Sequence, residues 1–146
     1  MAYVRWSILC AASPTDPETQ TLSLHQITDS ILVVGLPPGV MQQGGTAIPF
    51  NMQLVTMWRR TNLAQPETLE TWLSILDPNG QALAEAPGQM VDLGGPNVQF
   101  RVTAGIEVLP LRGVGFYTFR LGQRAAGSAY WSLAADVPLF VGEANG

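Results

Sequence analysis

Apolar side chains recur at every second residue in this chain, in short runs that glycine and proline interrupt. A period of two sends alternate side chains to opposite faces of an extended strand, whereas an amphipathic helix needs a period near 3.6. Residues 3–10 are the first such run and align Val4, Trp6, Ile8 and Cys10. Phe50, Met52, Leu54, Thr56 and Trp58 then oppose Asn51, Gln53, Val55, Met57 and Arg59, as a central strand with one apolar and one mixed face would. In residues 69–76, Leu69, Thr71, Leu73 and Ile75 oppose Glu70, Trp72, Ser74 and Leu76. Phe100, Val102, Ala104, Ile106 and Val108 alternate with Gln99, Arg101, Thr103 and Glu107, which predicts a half-buried strand. Residues 21–25, 30–34, 81–86, 115–121 and 131–140 are further β-prone pieces.

The interruptions have mechanisms of their own. Pro14 and Pro17 deny ladder hydrogen bonds, and Asp77-Pro-Asn-Gly80 is a tight turn in which Pro78 presets φ while Asn79 and Gly80 tolerate positive φ. Residues 35–49 carry many glycines and prolines without periodicity and read as a long loop. Capped helical spacing is absent over any usable length. The pattern predicts an all-β chain, an antiparallel β-sandwich of immunoglobulin-like or C2-like type with about eight or nine short strands, a barrel being the lesser option. Neither an internal repeat nor a linker divides it, so residues 1–146 are assigned to one domain.

Composition removes several function classes. A net charge of −4 and a pI near 4.7 argue against a protein that tracks phosphate backbones, so nucleic acid is not expected as a partner. All seven basic residues are arginine, and the absence of lysine removes the residue most used to blunt exposed sheet edges. Cys10 is the one cysteine, so an intrachain disulfide cannot form, a structural zinc site would lack its thiolates, and burial as a small hydrophobe is expected. No apolar run approaches the roughly 18 residues of a membrane span, and residues 1–10 do not read as a secretory leader, so a cytoplasmic location is expected.

The order of Cys10, a turn, Leu22-Ser-Leu24, a β-prone run at 31–34 and a strand ending in Asp77-Pro-Asn-Gly80 forms a pattern. Gly115-Phe-Tyr-Thr-Phe119, Arg120-Leu-Gly122 and Pro138-Leu-Phe-Val141 extend it over nearly the whole chain. In these features the chain resembles a family of small bacterial β-sandwich proteins defined only as a domain of unknown function. The resemblance implies the sandwich fold and carries no catalytic residues.

Chemistry-bearing residues are sparse. His25 is the lone histidine and lacks the partners of a triad or a metal site, so neither catalysis nor a cofactor is expected. Asp77 reads as the first residue of a turn rather than a calcium ligand, and Gly44-Gly45 and Gly94-Gly-Pro96 read as ordinary loops. Trp6, Trp58 and Trp131 share faces with aliphatic residues and are assigned to the core. Trp72 shares its face with Glu70 and Ser74 and is assigned outward. If the strands flanking residues 59–67 form a hairpin, Val55 lies nearly opposite Trp72 and Met57 lies near Glu70, unless the loops 35–49 or 87–97 cover them. With Arg59 and Arg60 at the strand end, these residues are the interface candidates. The expected function is a noncatalytic structural or protein-interaction subunit of a homo-oligomer or larger assembly. The alternative is a small-ligand or carbohydrate-binding module that stacks on Trp72 with Phe116 or Tyr130.

Overall fold

The computed structural model describes residues 2–144. Its elements are β1 (Tyr3–Ala12), β2 (His25–Ile27), β3 (Ser30–Val34), α1 (Val40–Gln43), β4 (Thr46–Arg59), β5 (Glu67–Leu76), β6 (Ala82–Pro87), β7 (Val91–Leu93), β8 (Gln99–Leu111), β9 (Gly115–Ala125) and β10 (Ser132–Ala144). A four-stranded sheet runs β2-β1-β4-β8, and a six-stranded sheet runs β3-β10-β9-β5-β6 with β7 also beside β5. The two do not close into a barrel. The chain is thus all-β with a sandwich arrangement, antiparallel except where β3 runs parallel to β10.

Alternation builds the core as the sequence pattern requires. Leu54 and Trp58 of β4, with Val102 and Ile106 of β8, face Leu69 and Ile75 of β5 and Tyr117, Phe119 and Leu121 of β9, all buried. A hydrogen bond crosses between the sheets inside this cluster: Trp58 Nε1 donates to Gln123 Oε1 at 2.9 Å. Gln123 in turn donates to the Ala2 carbonyl. The connection from β8 to β9, which carries the chain from one sheet to the other, is tied by Tyr117, whose hydroxyl accepts from the Arg112 amide at 2.6 Å and donates to the Gly113 carbonyl at 2.7 Å. The turn at Asp77 forms as expected. Its carboxylate accepts from the Asn79 and Gln81 amides, and Gly80 adopts a φ of 80° that a side chain would strain.

Several expectations change, each for a local reason. The register of β1 on β4 shifts between Val4 and Trp6, a β-bulge at Arg5. Val4 therefore faces the core opposite Trp58, while Trp6, Ile8 and Cys10 turn to the outer side with Met57, Val55 and Gln53. Trp6 is half-buried rather than core. A second shift, between Pro49 and Met52 with Asn51 at a φ of 46°, gives the core position on β8 to Leu109 and leaves Val108 52% exposed. Trp131 precedes β10 and is 43% exposed. The long loop is shorter than expected, since α1 interrupts it and β4 already begins at Thr46. Residues 21–24 are not a strand beyond a bridge from Leu22 to Thr15. The three-residue β7 had no periodic signal to announce it.

Segment 13–24 crosses the outer side of the four-stranded sheet, where Ser13 bonds Gln53 and Arg101 bonds Thr15. On that side Cys10 and Val55 are both fully buried. Burial pushes the Cys10 thiol above its ordinary value, in keeping with its expected role as a small hydrophobe.

Trp58→Ala should cost about 3–5 kcal/mol in urea unfolding, because it leaves a large cavity and removes the indole donor to Gln123, whereas Trp6→Ala should cost less than half as much. Equal losses would contradict the assigned faces. Burial raises the Tyr117 pKa. At low pH the hydroxyl is protonated in both states and its contribution is intact. That contribution should fade as pH climbs past the unfolded value near 10, toward the higher folded value. Tyr117→Phe should be less stable at neutral pH and lose part of this alkaline decline, as thermal melts between neutral and strongly alkaline pH would measure.

Candidate functional site

Because Tyr117, Phe119, Leu121 and Gln123 point into the core, β9 presents Phe116, Thr118, Arg120, Gly122 and Arg124 on the outer face of the six-stranded sheet. Cross-strand pairing then sets their neighbours. Trp72 and Leu133 lie on either side of Gly122, Ser74 and Asp136 on either side of Arg120, and Glu70 beside Arg124. The result is a groove of about 610 Å³ lined by Trp72, Ser74, Arg120, Arg124, Trp131 and Leu133, with Gly122 at its floor.

Gly122 is where the two indoles converge. A Cβ there would sit 3.6 Å from Trp131 Cε3 and 3.9 Å from Trp72 Cβ, so anything longer than a methyl would project between them. The Trp72 and Trp131 rings meet edge to face at 6.2 Å and 61°. The Arg124 guanidinium lies 4.4 Å from the Trp131 ring centroid, and its Nε bonds the Glu70 carboxylate. Arg120 grips Asp136 through two bonds of 2.8 and 2.9 Å, and that carboxylate holds the guanidinium above its ordinary pKa. Both cations of the groove are therefore neutralised within the face. Further along the same face, Phe116 and Phe140 stack edge to face at 5.2 Å, beside exposed Leu32 and Val34 of β3.

The structure divides the sequence-derived candidates. Trp72 faces outward, on this groove. Val55 does not join it, because β4 and β5 belong to different sheets and form no hairpin. Val55 is fully buried beneath segment 13–24, and Met57 and Arg59 lie on its side of β4, the outer face of the four-stranded sheet. Arg60 is only 5% exposed and donates to the carbonyls of Leu63, Leu93 and Gly95, which ties two loops together rather than meeting a partner. Pro87 and Met90 border Trp72 without roofing the groove, and Met41 of α1 is engaged with Gly113 instead. Phe116 is six positions from Gly122 along β9, paired with Phe140, while Tyr130 is exposed next to Trp131. Alternation alone misses Trp131, Gly122 and Arg124. The available signal was a glycine inside a strand pattern, which marks a close approach of another group.

His25 is exposed on β2. Among the described residues no group of three or more His, Cys, Asp or Glu side chains is arranged to hold a metal ion, and no helix is long and apolar enough to cross a membrane.

Comparison with protein-family models gives no match. Comparison with curated proteins gives none either. Among solved structures, the chain is similar to Pseudomonas fluorescens alkylpurine DNA glycosylase AlkC bound to DNA containing an abasic site analog, at 10% identity and a TM-score of 0.49. That alignment covers 97% of this chain and 30% of the glycosylase. Northeast Structural Genomics Consortium target SoR45 aligns at 14% identity and a TM-score of 0.39, over 96% of this chain and 85% of that one.

Gly122→Ala should cost less than about 1 kcal/mol, since its methyl meets ordinary contact distances. Gly122→Leu should displace Trp131 and red-shift the tryptophan emission. In a Trp131→Ala background the same leucine should leave the spectrum nearly unchanged, and an equal shift in both backgrounds would contradict this geometry.

Proposed function

We propose that this chain is a noncatalytic interaction subunit that joins a homo-oligomer or larger assembly through the outer face of its six-stranded sheet. The observation that carries the reading is the concentration of uncovered apolar side chains there. Trp131, Leu133, Phe116, Phe140, Leu32 and Val34 all stand in the open on one sheet face, and its arginines are already paired with carboxylates. These apolar side chains form two clusters, Trp131 with Leu133 and Phe116 with Phe140 and Leu32, on either side of the Arg120–Asp136 pair, and large exposed apolar patches of this kind mark interaction surfaces.

Size supports the same reading. Strands β5, β9 and β10, of 10, 11 and 13 residues, with the shorter β3 and β6, of 5 and 6, cover roughly 700 Å² at about 4.8 Å spacing, close to the roughly 800 Å² that one partner contributes to an interface of standard size. Trp72 and Trp131 have the chemistry of an anchor, being large, rigid aromatics flanked by a guanidinium. The alternative is a small-ligand or carbohydrate module, favoured by one observation: the groove volume falls in the range of ligand pockets. In that case Trp72 and Trp131 would form the contact, rather than Phe116 or Tyr130.

Light scattering over a dilution series separates the two. Wild type should assemble at micromolar concentration, and Trp131→Ala and Trp72→Ala should each weaken assembly by roughly thirtyfold or more while melting close to wild type. A wild-type protein that stays monomeric throughout, and whose tryptophan emission responds to a sugar or aromatic ligand, would overturn the subunit reading in favour of the module.

A further inference from the structure

The chain has seven arginines, and their partners are unevenly distributed. Arg120 and Arg124 are paired within the groove, Arg60 is spent on backbone carbonyls, and Arg112 lies 3.8 Å from Asp77. The other three, Arg5, Arg59 and Arg101, have no carboxylate partner among the described residues. All three are exposed at one end of the outer face of the four-stranded sheet. The bulge at Arg5 sends its side chain across β4 to Gln99 on β8, at 2.7 Å, and Gln99 is the residue opposite Arg59. Arg101 sits two positions further along β8, opposite Met57, and bonds Thr15 at 2.8 Å. The carboxylate next to Thr15, Asp16, is turned onto its own backbone and accepts from the Glu18 and Thr19 amides. A chain of net charge −4 thus gathers three uncompensated guanidinium groups around Tyr3, Trp6 and Met57.

We propose that this patch docks an extended acidic segment of a partner protein, at a site separate from the groove and independent of the assembly reading. Charge complementarity selects the sign. Guanidinium forks favour carboxylates, which they bind two-pronged. Spacing selects an extended segment: alternate residues of a strand lie about 7 Å apart, close to the roughly 7–8 Å diagonal between cross-strand neighbours such as Arg59 and Arg101. The indole of Trp6 and the thioether of Met57 supply an apolar floor for the stems between the carboxylates. Three arginines in an otherwise acidic chain are too few to track a nucleic-acid backbone with useful affinity at physiological salt.

The test is fluorescence anisotropy with three labelled probes on the intact protein. They are a peptide alternating glutamate and alanine, the same peptide with glutamine for glutamate, and a single-stranded oligonucleotide of equal charge. The glutamate peptide should bind at low salt and weaken as salt rises, and the glutamine peptide should not bind. The double variant Arg59→Gln/Arg101→Gln should lose about tenfold in affinity with an unchanged melting temperature, and Trp72→Ala should bind the peptide as wild type does. Equal binding of both peptides, or no loss in the double variant, would overturn the proposal. Tighter binding of the oligonucleotide than of the glutamate peptide would also overturn it and assign the patch to nucleic acid.

Discussion

The hydrogen bond from Trp58 to Gln123 is the contact on which the two outer faces depend. It joins an inner strand of one sheet to an inner strand of the other, so a slip of either strand breaks it. A shift of β9 by one residue would take Gln123 out of the core, strand the Trp58 N–H in an apolar interior, and turn Gly122 and Arg124 inward. Burying a guanidinium without its carboxylate would add a further penalty. This polar pair, deep in the interior, therefore specifies which half of β9 meets water.

Everything in the groove follows from that choice. With Gly122 outward, β9 has no side chain where Trp72 and Trp131 converge, and with Arg120 and Arg124 outward on either side of it, the apolar centre is bracketed by ion pairs with Asp136 and Glu70. The opposite sheet shows what happens when an outer face is dealt with internally. There segment 13–24 folds over β1 and β4, and Val55 and Cys10 vanish from the surface. Nothing comparable in the described chain crosses the six-stranded sheet. The uncovered end of the four-stranded sheet carries arginines without a carboxylate partner among the described residues, so the two exposed faces differ in chemistry: one apolar and internally neutralised, the other cationic.

Much of this was legible in the sequence because period-two alternation survives wherever strands are regular. The all-β class, the central strand through Leu54 and Trp58 and the outward side of Trp72 all follow from it, and the turn at Asp77 follows from its own Pro, Asn and Gly. The failures fall at irregularities that alternation cannot see. A single bulge at Arg5 reverses Trp6 relative to Val4, and another around Asn51 exchanges Val108 for Leu109. Pairing was the other blind spot. Residues 59–67 look like a hairpin loop, yet they carry the chain from one sheet to the other, so Val55 and Trp72 end on different layers. The half of the groove supplied by Gly122, Arg124 and Trp131 depends on β9 pairing with both β5 and β10, and no local pattern encodes that.

Oxidative footprinting of the intact protein tests the central claim most directly, because it reports on each outer face separately and by residue. Labelling is compared between dilute protein and the concentrations at which light scattering detects assembly. The account predicts that Trp131, Leu133 and Phe116 become protected on concentration, while Tyr3 and Trp6, on the other sheet, label equally at both. Unchanged labelling of Trp131 and Phe116 in the assembled sample, or protection confined to the Tyr3 and Trp6 face, would contradict it.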